Sequence, residues 1–145
     1  MSIYDDIAAI VYPMPEPGDV PEDVYNDVCR DVDSARKELA LNLEGASDSD
    51  PEGNEPLMSA IGAARYRKEQ AEAEIRRLVA YGREFTRPRP YKLADLAAAS
   101  GMSVSGVRTC YGHGDVAAVE QATARKPREW RSTDPADPPE AGSQA

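Results

Sequence analysis

The sequence predicts an all-α fold, and three observations lead to this prediction. Apolar residues recur three or four positions apart through much of the chain, which is the spacing of a helical face. Clusters of proline and glycine separate these stretches. The 145 residues include 12 Pro and 10 Gly but one Phe and one Trp, which indicates a modest core and a part of the chain that never packs. We therefore expect helices joined by breaker-rich segments.

The N-terminal residues 1–45 predict two helices. In residues 3–11, Ile3, Ile7 and Val11 lie four apart, and the prolines after Tyr12 end this helix. A second helix is expected to begin with Asp19 as N-cap and to end near Gly45. Its apolar stripe consists of Val20, Val24, Val28, Val32, Leu39 and Leu43.

Residues 46–56 are acidic, small and rich in breakers, and this composition predicts a flexible linker. The charge of the chain changes sign there. Residues 1–56 contain 15 Asp and Glu against three Lys and Arg, a net charge of −12, whereas residues 57–145 carry +3. The overall charge of −9 therefore describes neither part.

Residues 57–86 predict one long helix, because they contain no proline and their apolar residues recur at roughly helical intervals. At 1.5 Å per residue this helix would be about 43 Å long, which is more than a small domain needs. The surplus length either packs on the N-terminal helices or pairs with a second copy in a homodimer.

Residues 87–125 predict a pair of short helices joined at Gly101. Leu93, Leu96 and Ala97 would form the inner face of the first helix, where a small residue permits a close crossing. Glycine suits a positive φ at the end of that helix, and Ser103 is a good N-cap for the next. The inner face of the second helix would then consist of Val104 and Val107, with Cys110 as a further candidate.

The stretch "LADLAAASGMSVSGVRTCY", residues 93–111, resembles the helix-turn-helix of bacterial transcriptional regulators. It is more weakly similar to the promoter-reading domain of sigma factors. The resemblance implies binding to the major groove of double-stranded DNA by the first turns of the second helix. The base-contacting residues that it implies are Ser103, Val104, Ser105, Arg108 and Thr109.

Arg108 is the one long donor among these residues and can form a bidentate contact with guanine. The alternative is that Arg108 is a solvated surface charge on an ordinary helix pair. Around the pair, residues 83–131 contain nine Lys and Arg against five Asp and Glu. We expect Arg87 and Arg89, on an extended arm, and Lys92, at the start of the first helix, to contact phosphates. A solvated basic face is again the alternative.

These features predict a sequence-specific, DNA-binding transcriptional regulator. Two other functions remain open: a protein-interaction module that binds RNA polymerase or another regulator, and a mobile-element factor such as an excisionase or plasmid-control protein. The acidic residues 1–45 would either bind a protein partner or restrain the basic face.

The sequence contains no pattern that predicts catalysis, a metal site or a cofactor. His113 has no Cys or His neighbour at ligand spacing, and Cys29 and Cys110 are expected to be free, buried thiols. The chain has no apolar run of about 18 residues and no basic N-terminal region, so we expect a cytoplasmic protein without a membrane span. Residues 126–145 are expected to be a disordered tail.

Overall fold

The computed structural model describes residues 2–128, which form six α-helices and no strand. This confirms the all-α prediction. No helix in the described range is long and apolar enough to cross a membrane. The predicted disordered tail falls outside the described residues from position 129 onward. The helices are α1 (Ile3–Val11), α2 (Glu22–Ser49), α3 (Pro56–Glu84), α4 (Leu93–Ser100), α5 (Val104–Thr109) and α6 (His113–Thr123).

The chain divides into two compact units between Arg67 and Lys68, within α3. In the first unit α1 packs on α2 and buries Ile7 and Ala8. Ser2 caps α1 by accepting a hydrogen bond from the Asp5 N–H, and the Asp5 carboxylate accepts one from the Ser2 N–H in return. These reciprocal bonds satisfy two N–H groups at the helix end.

The loop between α1 and α2 is tied to α2 by two side chains. The Tyr25 hydroxyl donates to the carbonyl of Pro15 at 3.0 Å, and Arg36 Nε donates to the carbonyl of Tyr12 at 2.7 Å. These bonds satisfy carbonyls in a segment where the prolines prevent regular structure.

The bounds of α2 differ from those predicted. The helix begins after Pro21, and the Asp19 carboxylate accepts a hydrogen bond from the Glu16 N–H in the preceding turn. It continues past Gly45 to Ser49, so residues 46–49 of the predicted linker are helical. Proline disfavours helical dihedral angles in the residue before it, which explains why α2 ends just ahead of Pro51.

In the second unit, α4, α5 and α6 pack on the last turns of α3 through two apolar clusters. The first joins Val79 of α3 to Ala97 of α4 and Val107 of α5. The second joins Ala80 and Phe85, at the end of α3, to Val119 of α6, and Tyr111 contacts both clusters. Adjacent residues of α3 therefore support different helices.

Two charged residues are buried at the end of α3, and both bind other segments. Arg83 Nη1 donates to the carbonyl of Tyr91 at 2.7 Å. The Glu84 carboxylate accepts a hydrogen bond from the Tyr111 hydroxyl, and the Glu84 carbonyl accepts one from the Arg128 N–H. A buried charge is costly unless it is paired, so these bonds fix the segments that they join.

We expect Val107→Ala to destabilise the second unit by about 2 kcal/mol, because the valine has no exposed surface and its truncation leaves a cavity. The measurement is urea unfolding followed by circular dichroism. Val104→Ala, in the same helix but 41% exposed, is the matched control and should change stability by less than about 0.5 kcal/mol. Equal effects of the two substitutions would contradict the packing described here.

Candidate nucleic-acid interface

The turn between α4 and α5 consists of Gly101, Met102 and Ser103. Gly101 ends α4 with φ 77° and ψ 6°, and its N–H donates to the carbonyl of Ala97 at 3.0 Å. This left-handed conformation strains a residue that has a Cβ. Ser103 then caps α5 by accepting a hydrogen bond from the Gly106 N–H at 2.9 Å. The positions predicted for the turn glycine and the N-cap serine are both observed.

Helix α5 has one fully buried residue and a large exposed surface. Val107 is buried against α3 and α4, as predicted, whereas Val104, which was predicted on the inner face, is exposed. The buried side of α5 therefore contains fewer residues of the helix than expected. Met102, before the helix, and Cys110, after it, pack on the same cluster as Val107. All predicted base-contacting residues are exposed: Ser103, Val104, Ser105, Arg108 and Thr109.

Hydrogen bonds within α5 limit what its hydroxyl groups offer to a ligand. The Ser103 hydroxyl oxygen is already an acceptor for the Gly106 N–H, so its remaining hydrogen-bonding capacity includes its own O–H. The Thr109 hydroxyl donates to the carbonyl of Ser105 at 3.2 Å, which leaves its lone pairs and its methyl group. Arg108 therefore remains the strongest donor on this surface.

The structure accounts for Gly106, a poor helix former inside a short helix. A Cβ atom at this position would lie 3.2 Å from Ser103 Oγ and 3.5 Å from the Met102 Cβ. The first distance is shorter than ordinary van der Waals contact. Glycine therefore leaves room for the hydroxyl that caps α5, a local reason that the sequence pattern alone did not reveal.

Arg87, Arg89 and Lys92 are all exposed, but the segment that carries them is not an extended arm. The Thr86 hydroxyl lies within hydrogen-bond distance of the Gly82 carbonyl, at 2.8 Å, and of the Arg89 carbonyl, at 3.2 Å. The Tyr91 N–H also donates to Gly82 at 3.0 Å. The expectation of an arm is therefore wrong, because these bonds close residues 86–91 into a turn on the end of α3.

Lys92 occupies the N-cap position of α4 and makes no capping hydrogen bond through its side chain. Serine, threonine, aspartate and asparagine are the residues preferred there. A lysine adds positive charge to a helix end that already carries a partial positive charge. This end of α4 is consequently suited to an anion.

A carboxylate stabilises the start of α6. The helix begins at His113, and Asp115 lies in its first turn, where its carboxylate accepts a hydrogen bond from the Gly112 N–H at 3.1 Å. The same carboxylate lies 3.8 Å from Arg76 Nε of α3. Asp115 thus stabilises the helix start and offsets one positive charge.

Both cysteines are free thiols, as predicted, but they are half-buried and not fully buried as expected. Burial raises the pKa of the Cys110 thiol, and the negative charge of Asp115 raises it further. Cys110 therefore remains a protonated thiol at neutral pH. It serves as a small apolar residue that packs beside Val107.

Comparison of the chain with protein-family models, with curated proteins and with solved structures found no match.

We expect Gly101→Ala to destabilise the second unit by about 1 kcal/mol, because alanine is strained at this positive φ although the space around it is open. Thermal unfolding of the full chain measures the change. Gly114→Ala is the matched control, since Gly114 lies within α6, has no positive φ and has equally open space. An unchanged midpoint for Gly101→Ala would contradict the turn geometry.

Proposed function

We propose that this chain is a sequence-specific, DNA-binding transcriptional regulator that inserts α5 into the major groove. The observation that carries the proposal is the division of α5 between one anchored residue and an otherwise exposed surface. Val107 packs against α3 and α4, and this contact fixes the rotation of α5 about its own axis. The exposed residues offer a guanidinium, hydroxyl groups and a methyl surface to the edges of base pairs.

Arg108 would supply most of the sequence specificity. Its guanidinium fits the O6 and N7 acceptors of guanine as a bidentate donor. Val104 presents an apolar surface that suits the methyl group of thymine, and Ser105 provides a hydroxyl group that can bond to several bases. This set favours a site that contains both guanine and thymine.

Arg87, Arg89 and Lys92 would bind phosphates and set the register of α5 on the duplex. Hydrogen bonds to Gly82 of α3 and within the turn close the segment that carries the two arginines. The backbone at both arginines is therefore held in place. Lys92 adds its charge at the N-terminal end of α4, where the positive end of the helix dipole attracts anions. The 86–91 turn and the start of α4 would thus position the chain on the DNA backbone, and α5 would recognise the bases.

The first unit favours a second candidate function, the binding of a protein partner such as RNA polymerase or another regulator. Its sequence is strongly acidic, and Ile10 and Leu41 are exposed among the charges. An acidic surface interrupted by apolar side chains suits a basic protein surface with apolar pockets. A partner retained by the full chain after nuclease treatment, with no DNA site selected from random fragments, would favour this function.

A mobile-element factor would use the same chemistry as the first proposal on a different target.

We expect Arg108→Ala to weaken binding to the preferred DNA site by about 1–3 kcal/mol and to change binding to unrelated DNA little, because the lost contact reads a base. Electrophoretic mobility shifts with both DNAs measure the two affinities. Arg87→Ala is the comparison, since it removes the same side chain from a phosphate contact and should weaken both complexes equally. Equal losses for Arg108→Ala on every sequence would make it a phosphate contact.

The affinity should also fall steeply with salt. With about 4–6 phosphate contacts per protomer, the logarithm of the binding constant should fall against the logarithm of the salt concentration with a slope of about −4 to −5. Fluorescence anisotropy titrations at several salt concentrations measure this slope. Binding that does not respond to salt would contradict the proposed interface.

A further inference from the structure

Helix α3 carries a seven-residue apolar repeat in front of the segment that packs in the second unit. Its positions alternate spacings of four and three, which places them along one seam of the helix. Lysine occupies the middle position and apolar residues occupy the others. We call this set the α3 seam: Leu57, Ile61, Ala64, Lys68, Ala71, Ile75 and Leu78.

The α3 seam is uncovered in the chain. Ile61 is 54% exposed, Ile75 is 37% exposed and Leu78 is 60% exposed, and the two alanines are exposed as well. Helical side chains in a regular seam bury little surface unless another helix packs on them. The repeat therefore favours packing against a second helix whose apolar residues have the same heptad spacing.

The charges that flank the α3 seam indicate which helix that is. Arg65 and Arg67 lie on either side of the seam in its N-terminal half, and Glu72 and Glu74 take the corresponding positions one heptad later. The charges that flank the α3 seam in one half are thus opposite in sign to those that flank it in the other half. An antiparallel copy of α3 places opposite charges together on both sides.

We propose that α3 pairs with α3 of a second copy in an antiparallel coiled coil, with Lys68 opposite the partner's Ala71. In this register Arg65 lies near the partner's Glu72, and Arg67 lies near the partner's Glu74. Two-fold symmetry repeats both pairs. The dimer therefore contains four complementary charge pairs.

The same register also matches the sizes of the core residues. Ile61 meets the partner's Leu78, and Ala64 meets the partner's Ile75. The small Ala71 meets the aliphatic stem of the partner's Lys68, whose ammonium group reaches the surface at the edge of the seam. Facing positions that alternate large and small side chains fill a helix interface without voids.

Other arrangements of the two helices are less favourable. A parallel pair would place Lys68 against the partner's Lys68 and small alanines against each other. An antiparallel pair shifted by one heptad would place either the same arginines or the same glutamates together. The register centred between residues 69 and 70 avoids all of these like-charge contacts.

If the proposed function also holds, this dimer has a consequence for DNA. At 1.5 Å per residue, the two Gly82 positions would lie about 38 Å apart along the coiled coil. One turn of DNA separates half-sites by about 34–36 Å. The antiparallel pair would therefore suit two half-sites that are about one helical turn apart.

Sedimentation equilibrium of the full chain in low salt and without DNA tests the pairing. We expect a dimer that Leu78→Asp converts to a monomer. Leu41→Asp, at a leucine of α2 that is 69% exposed against 60% for Leu78, should leave the dimer intact. Circular dichroism checks that both variants keep their helix content. A wild-type chain that stays monomeric up to its solubility limit would overturn the proposal.

Charge reversal tests the orientation. Arg67→Glu should weaken the dimer about tenfold, because it changes two attractive pairs into repulsive ones. The double variant R67E/E74R should restore dimerisation, and R67E/E72R should not. Restoration by R67E/E72R alone is expected of a parallel coil and would overturn the antiparallel register. Arg77→Glu is a matched reversal outside the four charged positions that flank the α3 seam, and it should have no effect.

Because these measurements contain no DNA, they separate the pairing from the proposed function. A dimer that selects no DNA site would contradict only DNA binding. A monomer that selects a DNA site would contradict only the antiparallel pair.

Discussion

Helix α5 has six residues, too few for a helix to be stable by itself in water, so its position depends on the burial of Val107. Val79 and Ala97 hold this side chain from α3 and α4. Ser103 satisfies an N–H group at one end of α5, and Cys110 packs at the other. The buried side of α5 consequently determines which residues the helix exposes. Residues on the exposed side can be substituted without loss of the fold.

The last turns of α3 combine apolar and polar support. Val79 and Ala80 contact different clusters, and within the same turns Arg83 and Glu84 bind the 86–91 turn, Tyr111 and the chain after α6. Burial makes each polar bond stronger and also makes the loss of a partner more costly. The last turns of α3 therefore hold the elements around α5 in place. The exposed basic residues on these elements are thus all supported by the same segment of α3.

The parts of the fold that local chemistry specifies could be predicted from the sequence. The spacing of Ile3, Ile7 and Val11 predicted α1, and Gly101 and Ser103 marked the turn because a positive φ and an N-cap each favour few residue types. The 86–91 turn could not be predicted, since it depends on a hydrogen bond from Tyr91 back to Gly82. Tyr111 and Glu84 are 27 positions apart, and nothing in the local pattern of either residue indicates the other.

The charge of the chain opposes DNA binding only if all charges act at equal distance from the DNA. At physiological ionic strength a charge is largely screened beyond about 8 Å, so the phosphates respond mainly to the residues nearest to them. Under the proposed function these would include Arg87, Arg89, Lys92 and Arg108, which are all exposed. Under the proposed function, the acidic first unit would slow long-range encounter with DNA. Its strong charge also favours solubility, which matters for a chain that exposes an apolar seam on α3.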